Sequence, residues 1–449
     1  MEMYRSVESA FAAVLVSVLL GCGGGGSDGG TESPPLPLTP VAEFKLTVEI
    51  AGTAATPDVT GKYTVLPGQS VVVKSNEAAS WVGSDMGSGV TRTDVDTGVS
   101  QWFSRFENPS AVLSGAYKLT ASASGGRTKT VDFSVQTGDY RNGDYVVFAA
   151  NGSRQTLSID FDAATYSVRD AAGVTTTGTL TAPVAPGKDW TVQNSRIVGV
   201  NTSSLRSVKD SIVGGFPFAV PYSAPTTYAA YPFVASRAFV LTQSKLDGVY
   251  DRANIQHLVA GGQSAISQFE ISAGGTVMRQ CVAAAINRVS TCPVGSVITS
   301  NIEADTQAGM WQLKNPTTGA SLGRFGVVDI EGDKIYLAAG TSAVDGSQVL
   351  TIGVPTTPGA TAFTSTGWST SGTLDVSNAT STKYEMSMTV AGVSVLDLTL
   401  GGVGPLDSVG IYPAIQANVY FTMRSKRLEL LIGARSSPQA GFLHVGIVD

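Results

Sequence analysis

The residues that could carry out catalysis are few and widely separated. His257 and His444 are the only histidines, and no Ser-x-x-Lys motif accompanies them. Downstream of residue 41 the chain also lacks Gly-x-Ser-x-Gly, the turn that exposes the nucleophile of many hydrolases. A His-based triad is therefore hard to assemble. We predict that His257 is a surface or half-buried residue and that His444 is an ordinary strand residue.

Pairs of carboxylates offer a second route to catalysis. Asp160 and Asp162 are two positions apart in one predicted strand, as are Asp329 and Glu331 in another. Because side chains alternate across a strand, the members of each pair share a face. A glycosidase needs two carboxylates about 5 to 9 Å apart in one cleft, whereas a solvated strand face explains these pairs without any activity. We predict a protein that is not an enzyme, with a carboxylate-dependent glycoside hydrolase as a further alternative.

Asp94 and Asp96 have the first spacing of a calcium-binding loop. An EF-hand loop of this kind needs a Glu at about its twelfth position, where this chain has Arg105. Ordinary turn chemistry is the better interpretation, and we predict neither a metal site nor a cofactor.

Two cysteines in the body, Cys281 and Cys292, are predicted to form one disulfide that closes a short loop. An isolated pair in an exported domain usually pairs in this way. The alternative, a thiol or metal site, needs further ligands nearby, and none is present in the sequence around them.

One aromatic stretch is the strongest candidate for recognition. Aromatic faces at an exposed site can stack on sugar rings or peptide groups. The alternative is a long connection whose rings pack over the core between two β units. The candidate ligand-binding aromatics, for a glycan or a protein ligand, are Tyr222, Tyr228, Tyr231 and Phe233.

The start of the chain has the features of an export signal. Arg5 is followed by a short apolar run that ends at Leu20, and this run is too short to span a bilayer as a helix, which needs about twenty residues. The run ends in Leu19-Leu20-Gly21-Cys22, which resembles the lipobox of bacterial lipoproteins. That resemblance implies that residues 1–21 are removed and that Cys22 is diacylated, with palmitate-type chains anchoring the protein to a membrane.

The segment that follows, residues 22–41, is predicted to be a tether. It is rich in Gly and then in Pro, a composition that stays extended because it cannot bury apolar surface. By the sorting pattern of such lipoproteins, Gly23 after the cysteine favours the outer membrane, at either its cell-surface or its periplasmic face.

The rest of the chain has the composition of an all-β exported protein. Over the full chain, apolar residues make up 43% and charged residues 14%, and the formal net charge of −6 includes no basic run. Many β-branched residues with little charge favour strands, and the lack of a basic cluster argues against a nucleic-acid partner. Roughly 400 residues are more than one core usually holds, so we expect several modules.

Residues 42–138 are typical of an immunoglobulin-like β-sandwich. Short alternating strands are separated by turn signals, with Trp81 in the middle. The pattern resembles bacterial immunoglobulin-like domains, but it lacks the inter-sheet cysteines of antibody domains.

Three further β modules are predicted at residues 139–243, 244–355 and 356–449, each a small antiparallel barrel or sandwich. Trp190 aligns with Trp311, and apolar strands of similar type begin at Ser211, Ile335 and Leu428. These matches indicate an internal repeat of which the last module is a partial copy, although such strands are common in any β protein. The clearest helix signal is a short one over residues 251–260.

The chain as a whole resembles uncharacterised lipoproteins of Gram-negative bacteria that begin with a Gly-rich tether. The resemblance implies an envelope protein that acts as a binding or structural scaffold without catalysis. The alternative is a surface adhesin that binds carbohydrate or protein through the aromatic stretch.

Overall fold

The computed structural model describes residues 43–449 except for the following short segments: 67–68, 85–89, 96–98, 105–114, 137, 185–188, 195, 197–202, 284–287, 357–362, 372–373, 380–382, 391–392, 402–410, 414–419 and 436. The signal, Cys22 and the tether therefore lie outside the described residues. Strands dominate, as the sequence predicts, and the described helices are short 3-10 turns at Ser124–Gly126, Gln243–Leu246 and Val289–Thr291. In this part of the chain, no helix combines the length and apolar character that crossing a bilayer requires.

The first module is a two-sheet sandwich, as predicted. One sheet has the strand order β2-β1-β4-β7-β6 and the other β3-β9-β8-β5. Their facing sides bury a core of its own, in which Trp81, Leu119 and Phe133 are at most 7% exposed. The strands are β1 (Leu46–Ile50), β2 (Thr53–Ala54), β3 (Lys62–Val65), β4 (Ser70–Ser75), β5 (Ala79–Gly83), β6 (Val90–Val95), β7 (Val99–Ser104), β8 (Gly115–Ala123) and β9 (Thr128–Val135).

The second module is a closed antiparallel barrel, called here the first barrel. Each strand pairs with the next along the chain, and the first pairs with the last to close the sheet. The strands are β10 (Gly143–Ala149), β11 (Arg154–Asp160), β12 (Thr165–Arg169), β13 (Thr175–Thr181), β14 (Trp190–Gln193), β15 (Ser204–Val208), β16 (Ser211–Ala219) and β17 (Tyr228–Ser236).

The third module is a closed barrel with the same connectivity, called here the second barrel. Its strands are β18 (Gly248–Leu258), β19 (Gly261–Ser272), β20 (Val277–Cys281), β21 (Val297–Ala304), β22 (Met310–Lys314), β23 (Ser321–Ile330), β24 (Asp333–Thr341) and β25 (Gln348–Pro355). The strand β18 replaces the short helix expected over residues 251–260, so that prediction is wrong. In β18 the polar residues Arg252, Asn254 and Gln256 face the barrel interior, whereas Ala253 and Ile255 face outward into the core, so the alternation is that of a strand.

The last module is an eight-stranded antiparallel sheet in which the first and last strands again pair. The fourth and fifth strands lie at its two edges. Its strands are β26 (Phe363–Ser369), β27 (Leu374–Ala379), β28 (Lys383–Val390), β29 (Val393–Gly401), β30 (Ile411–Pro413), β31 (Tyr420–Arg424), β32 (Leu428–Gly433) and β33 (Leu443–Val448).

The three C-terminal modules share details beyond strand count. The tyrosine in the first strand of each closed barrel donates a hydrogen bond to the carbonyl four residues earlier, from Tyr145 to Arg141 at 2.6 Å and from Tyr250 to Leu246 at 3.0 Å. The apolar strands matched in the sequence, β16, β24 and β32, are each the seventh strand of their module. These correspondences support a repeated eight-strand unit, while the module boundaries drawn from the sequence stay predictions.

One continuous apolar core joins the two barrels and the last sheet. Leu337 and Ile352 on the outer side of the second barrel belong to the same buried cluster as Ile212 and Leu430. Trp368 of the last sheet is 1% exposed, and its Nε1 donates to Ser204 Oγ of the first barrel at 2.9 Å. The outer faces that meet in this core are therefore packing surfaces.

Candidate functional site

The predicted site residues are not gathered into one place. Cys22 lies outside the described residues, as does Asp96 of the calcium-like spacing. Cys281 and Cys292 are joined by a disulfide across a separation of 11 residues. Within the described residues, no group of three or more His, Cys, Asp or Glu side chains has metal-binding geometry.

The aromatic stretch divides into buried and exposed rings. Phe233 is 2% exposed and Tyr231 is 8% exposed, so these two rings are not available to a ligand at the surface. They are buried because they lie on β17, which pairs on both sides within the first barrel. Tyr222 and Tyr228 are exposed, at 47% and 38%, and they alone remain candidates for stacking on a ligand.

Tyr222 and His257 contribute to the contact between the two barrels. The Tyr222 hydroxyl lies 3.1 Å from the His257 carbonyl oxygen and 3.0 Å from that of Gly346. The His257 Nε2 lies 2.8 Å from the Ala150 carbonyl oxygen, so this nitrogen carries the proton and donates it. Desolvation lowers the pKa of His257 below its ordinary value. His257 is thus a half-buried docking residue.

His444 takes part in a buried polar cluster that sequence patterns did not reveal. Its Nε2 lies 3.0 Å from Glu429 Oε2, and Ser365 donates to the same oxygen at 2.9 Å. All three residues are 0% exposed. Since the serine and the histidine both contact the carboxylate rather than each other, the histidine is not placed to take the serine proton. The arrangement differs from a Ser-His-acid triad, in which the histidine lies between the other two groups.

The carboxylate pairs serve turns and contacts rather than a cleft. Asp160 accepts the Ala163 amide, and Asp329 accepts the Gly332 amide at 2.7 Å. Asp162 accepts the backbone amide of Asp139 at 2.8 Å. These bonds give each of the three acids a local structural role.

The interior of the first barrel is filled with hydrophobic side chains. Phe216, Phe218 and Phe233 contact one another in series, and Tyr166 meets Phe216 edge to face at 5.7 Å. The space left among the lining residues is about 10 Å³, roughly that of a single water. An eight-stranded barrel is just wide enough for its own side chains, and here they occupy it.

The interior of the second barrel is built differently in its two halves. One half is an aromatic floor in which Tyr250 stacks on Phe269 at 5.0 Å, and Tyr336 contacts both Phe269 and Phe325 at 4.9 and 4.7 Å. Leu246 of the 3-10 helix before β18 belongs to the same cluster and is fully buried. This half resembles the packed interior of the first barrel.

The other half of the second barrel is lined by polar and small residues. Side chains alternate along each strand, so Arg252 and Asn254 share the inward face of Tyr250. Opposite them on β19 are Ser267 and Ala265. Ala265 and Ala338 face inward yet stay partly exposed, which shows that solvent enters this half. We call this half the polar cup.

The mouth of the polar cup, at the end of the barrel away from the aromatic floor, is also open. A Cβ added at Gly323 or Gly340, both on the inward-facing register, would meet no heavy atom within 4 Å. Ile298 on the inward side of β21 is 52% exposed at the same barrel. This end of the barrel interior is therefore open to solvent, and the mouths of β-barrels are among the places where small ligands bind.

Arg252 is the charged group of the polar cup. One of its terminal nitrogens lies 3.4 Å from Ser267 Oγ, and Gln280 Nε2 donates to the same oxygen at 3.2 Å. Among the inward positions of the eight described strands the one acid is Asp329, which lies at the end of β23 away from the cup and accepts the Gly332 amide. Desolvation lowers the pKa of Arg252, although a guanidinium remains protonated in proteins at neutral pH. Arg252 is also partly exposed, as expected for a group deep in a barrel that borders open space.

Further hydrogen-bond donors face the interior of the second barrel. Trp311 is 5% exposed, and among the described residues its Nε1 has no hydrogen-bond partner. Burial raises the pKa of Tyr336 far above its ordinary value, with Arg252 close enough to oppose that shift. Tyr336 therefore keeps its hydroxyl proton and can donate it.

Sequence reasoning missed the polar cup because its residues are scattered over several strands. Arg252 lies in the segment read as a short helix, and Tyr336 belongs to a strand noted only as apolar. The available signal was a run of alternating polar residues, Arg252, Asn254 and Gln256, inside a segment with apolar neighbours. Such a pattern places polar groups on one face of a strand.

Comparison with known proteins does not assign the chain to a family. No protein-family model matches the chain, and no curated protein matches it. Among solved structures, the chain is similar to an auxiliary nutrient binding protein from Bacteroides ovatus ATCC 8483, with 8% sequence identity and a TM-score of 0.10 over 86% of this chain and 96% of that chain. A similarity of that size carries no argument about function.

Proposed function

We propose that this chain is a lipid-anchored protein of the outer membrane whose body is a non-enzymatic binding scaffold. In this proposal Cys22 carries the lipid, residues 22–41 form the tether, and the polar cup of the second barrel receives a small ligand. The lipobox and the Gly-rich segment after it support the anchoring part of the proposal.

The contrast between the two closed barrels is the observation that carries the binding role. They have the same strand connectivity, yet one interior is packed with aromatic rings and the other opens into the polar cup. A polar, partly unfilled interior is unfavourable for stability, because buried polar groups lose their bonds to water. Only one of the two matching barrels retains such a polar interior, and a ligand that enters this barrel explains why it is retained.

Thiol accessibility tests the binding role without knowledge of the ligand. The full chain has no free thiol under this proposal, because Cys22 is lipidated and Cys281 is paired with Cys292. An Ala338→Cys variant places a thiol in the polar cup, and an Ala235→Cys variant places one inside the first barrel, where Ala235 is fully buried. A small charged methanethiosulfonate should label the folded Ala338→Cys variant and leave the folded Ala235→Cys variant unlabelled.

Equal labelling of the two variants after denaturation verifies that both thiols are intact. If the folded Ala338→Cys variant resists the reagent as firmly as the Ala235→Cys variant, the second barrel is closed and the proposed binding role is wrong.

A further inference from the structure

The hydrogen-bonding groups of the polar cup are arranged to receive a negative charge. Ser267 Oγ accepts from both Arg252 and Gln280, so its own proton is directed elsewhere. The remaining N–H groups of Arg252 are likewise available, since Ser267 is its hydrogen-bond partner within the described residues. Trp311 and Tyr336 add an indole N–H and a hydroxyl to the same interior. The one charged side chain of the polar cup is thus a cation with free donors.

The other polar side chains of the cup hold each other in place. Asn254 is 2% exposed, and its Nδ2 donates to Thr351 Oγ1 at 2.8 Å and to the Leu350 carbonyl at 3.3 Å. This pair joins β18 to β25 beside Arg252, where the two strands close the barrel. The wall that carries Arg252 is thereby rigid, and a site on rigid strands binds with little loss of conformational entropy.

A cation in such a place needs an anion. Moving a charge from water into a protein interior is strongly unfavourable unless an opposite charge or several hydrogen bonds compensate it. The described inward positions of the second barrel supply no carboxylate to Arg252. The planar guanidinium presents parallel N–H groups that match a carboxylate in two-point contact.

The floor of the cup limits the size of the ligand. The rings of Tyr250, Phe269 and Tyr336 pack on one another next to the Arg252 side chain and are at most 3% exposed. A ligand with its carboxylate at Arg252 therefore lies above this closed floor, toward the open mouth of the cup. The small residues Ala265 and Ala338 leave room for a compact body only.

We propose that the polar cup binds a small organic carboxylate, anchored by Arg252. This inference rests on the proposed binding role of the second barrel and names its ligand class. In the bound state Arg252 pairs with the carboxylate, and the Ser267 and Tyr336 hydroxyls donate to the oxygens that remain.

Calorimetric titration with three probes of matched shape tests the inference. Benzoate supplies the carboxylate, benzamide is its neutral analogue and benzylamine is a cation of similar size. The full chain in detergent should bind benzoate, whereas benzamide and benzylamine should give no saturable binding. The Arg252→Gln variant should bind benzoate at least about tenfold more weakly, since it loses a charge-assisted two-point contact.

Matched variants separate a lost anchor from a disturbed barrel. Arg279→Gln removes a half-exposed arginine from β20, two strands from β18, where it lies 3.8 Å from Glu270 on the outside of the barrel. It should bind benzoate as the unaltered protein does. Should Arg252→Gln fail to fold, Tyr336→Phe, which removes one donor and keeps the ring, should weaken benzoate binding at least about threefold.

Each outcome decides between the inference and the proposed function. Benzamide binding as tightly as benzoate, or benzoate binding unchanged in Arg252→Gln, overturns the anion inference and leaves a binding barrel. Absence of benzoate binding, together with labelling of the Ala338→Cys variant, likewise overturns the inference alone. Absence of benzoate binding with a sealed second barrel overturns both.

Discussion

At the scale of single residues, the protein buries polar groups in two different ways. Glu429, His444 and Ser365 lie in the last sheet and satisfy one another, with the Ser365 and His444 contacts meeting on one carboxylate oxygen. Arg252 in the second barrel lies beside the Ser267 hydroxyl and Tyr336. The first arrangement is expected to serve stability, whereas the second is the anchor of the proposed ligand.

Replacing Glu429 by Ala should destabilise the protein strongly. The change leaves the side chains of His444 and Ser365 without their shared acceptor at positions that are 0% exposed. Breaking a buried charged hydrogen-bond network costs about 2 to 4 kcal/mol. Urea unfolding of the variant should show this loss, while Glu303→Ala, at an exposed acid on β21, should stay within about 0.5 kcal/mol of the unaltered protein. Equal effects of the two substitutions would mean that the cluster contributes nothing to stability.

His257 should make the contact between the barrels sensitive to acid. Its pKa in the folded protein is depressed by desolvation from the ordinary value of 6.5. The unfolded chain therefore binds a proton more readily than the folded chain as the pH falls below about 6.5, and stability is lost over that range. The contribution of His257 to stability is fully present above that pH, where its imidazole is neutral in both the folded and the unfolded state.

Urea unfolding at pH 7.5 and 5.5 measures this effect. Other groups also titrate in this range, so the loss of unfolding free energy between the two pH values is compared for the unaltered protein and His257→Gln. The amide of the introduced glutamine can still donate to the Ala150 carbonyl. The unaltered protein should lose more stability than the variant on acidification. Parallel losses would show that His257 does not titrate with folding.

At the scale of strands, the sequence predicted the all-β class but not the conformation of one strand, β18. Short alternating runs with turn signals between them were enough for the sandwich and for the antiparallel modules. The strand β18 was misread because its inward face carries Arg252, Asn254 and Gln256 while its outward face is apolar and buried against other modules. Neighbours distant in sequence decided its conformation, and local patterns do not report such neighbours.

Adding volume to the two barrel interiors should destabilise the protein to different extents. Ala338→Leu adds volume to the polar cup, where solvent already enters, and should lower the free energy of unfolding by less than about 1 kcal/mol. Gly214→Ala in the first barrel places a Cβ at 2.6 Å from the Ser204 carbonyl oxygen and 2.9 Å from the Phe233 ring. It should cost about 1 to 3 kcal/mol. Urea unfolding compares the two, and Ala338→Leu should also abolish benzoate binding. A larger loss for Ala338→Leu would show that the second barrel is already filled.

At the scale of the whole molecule, three eight-strand units share one core and differ in what they enclose. The seventh strand of each unit was recognisable in the sequence as an apolar run; β16 and β32 are buried on both faces, and β24 is buried over Ile335, Tyr336 and Leu337. The contents of the barrels could not be predicted, since they depend on which side chains converge from eight strands. The candidate aromatics illustrate this point, with Phe233 turned into the first barrel and Tyr222 left at the surface.

The proposed envelope role depends on attachment to a membrane through the lipid on Cys22. Labelling of cells with radioactive palmitate, followed by membrane fractionation of the unaltered protein and of Cys22→Ala, tests it most directly. The account predicts that the unaltered protein is labelled and sediments with the outer membrane, and that the variant is unlabelled and released in soluble form. A variant that is still labelled, or still held in the membrane fraction, would contradict it.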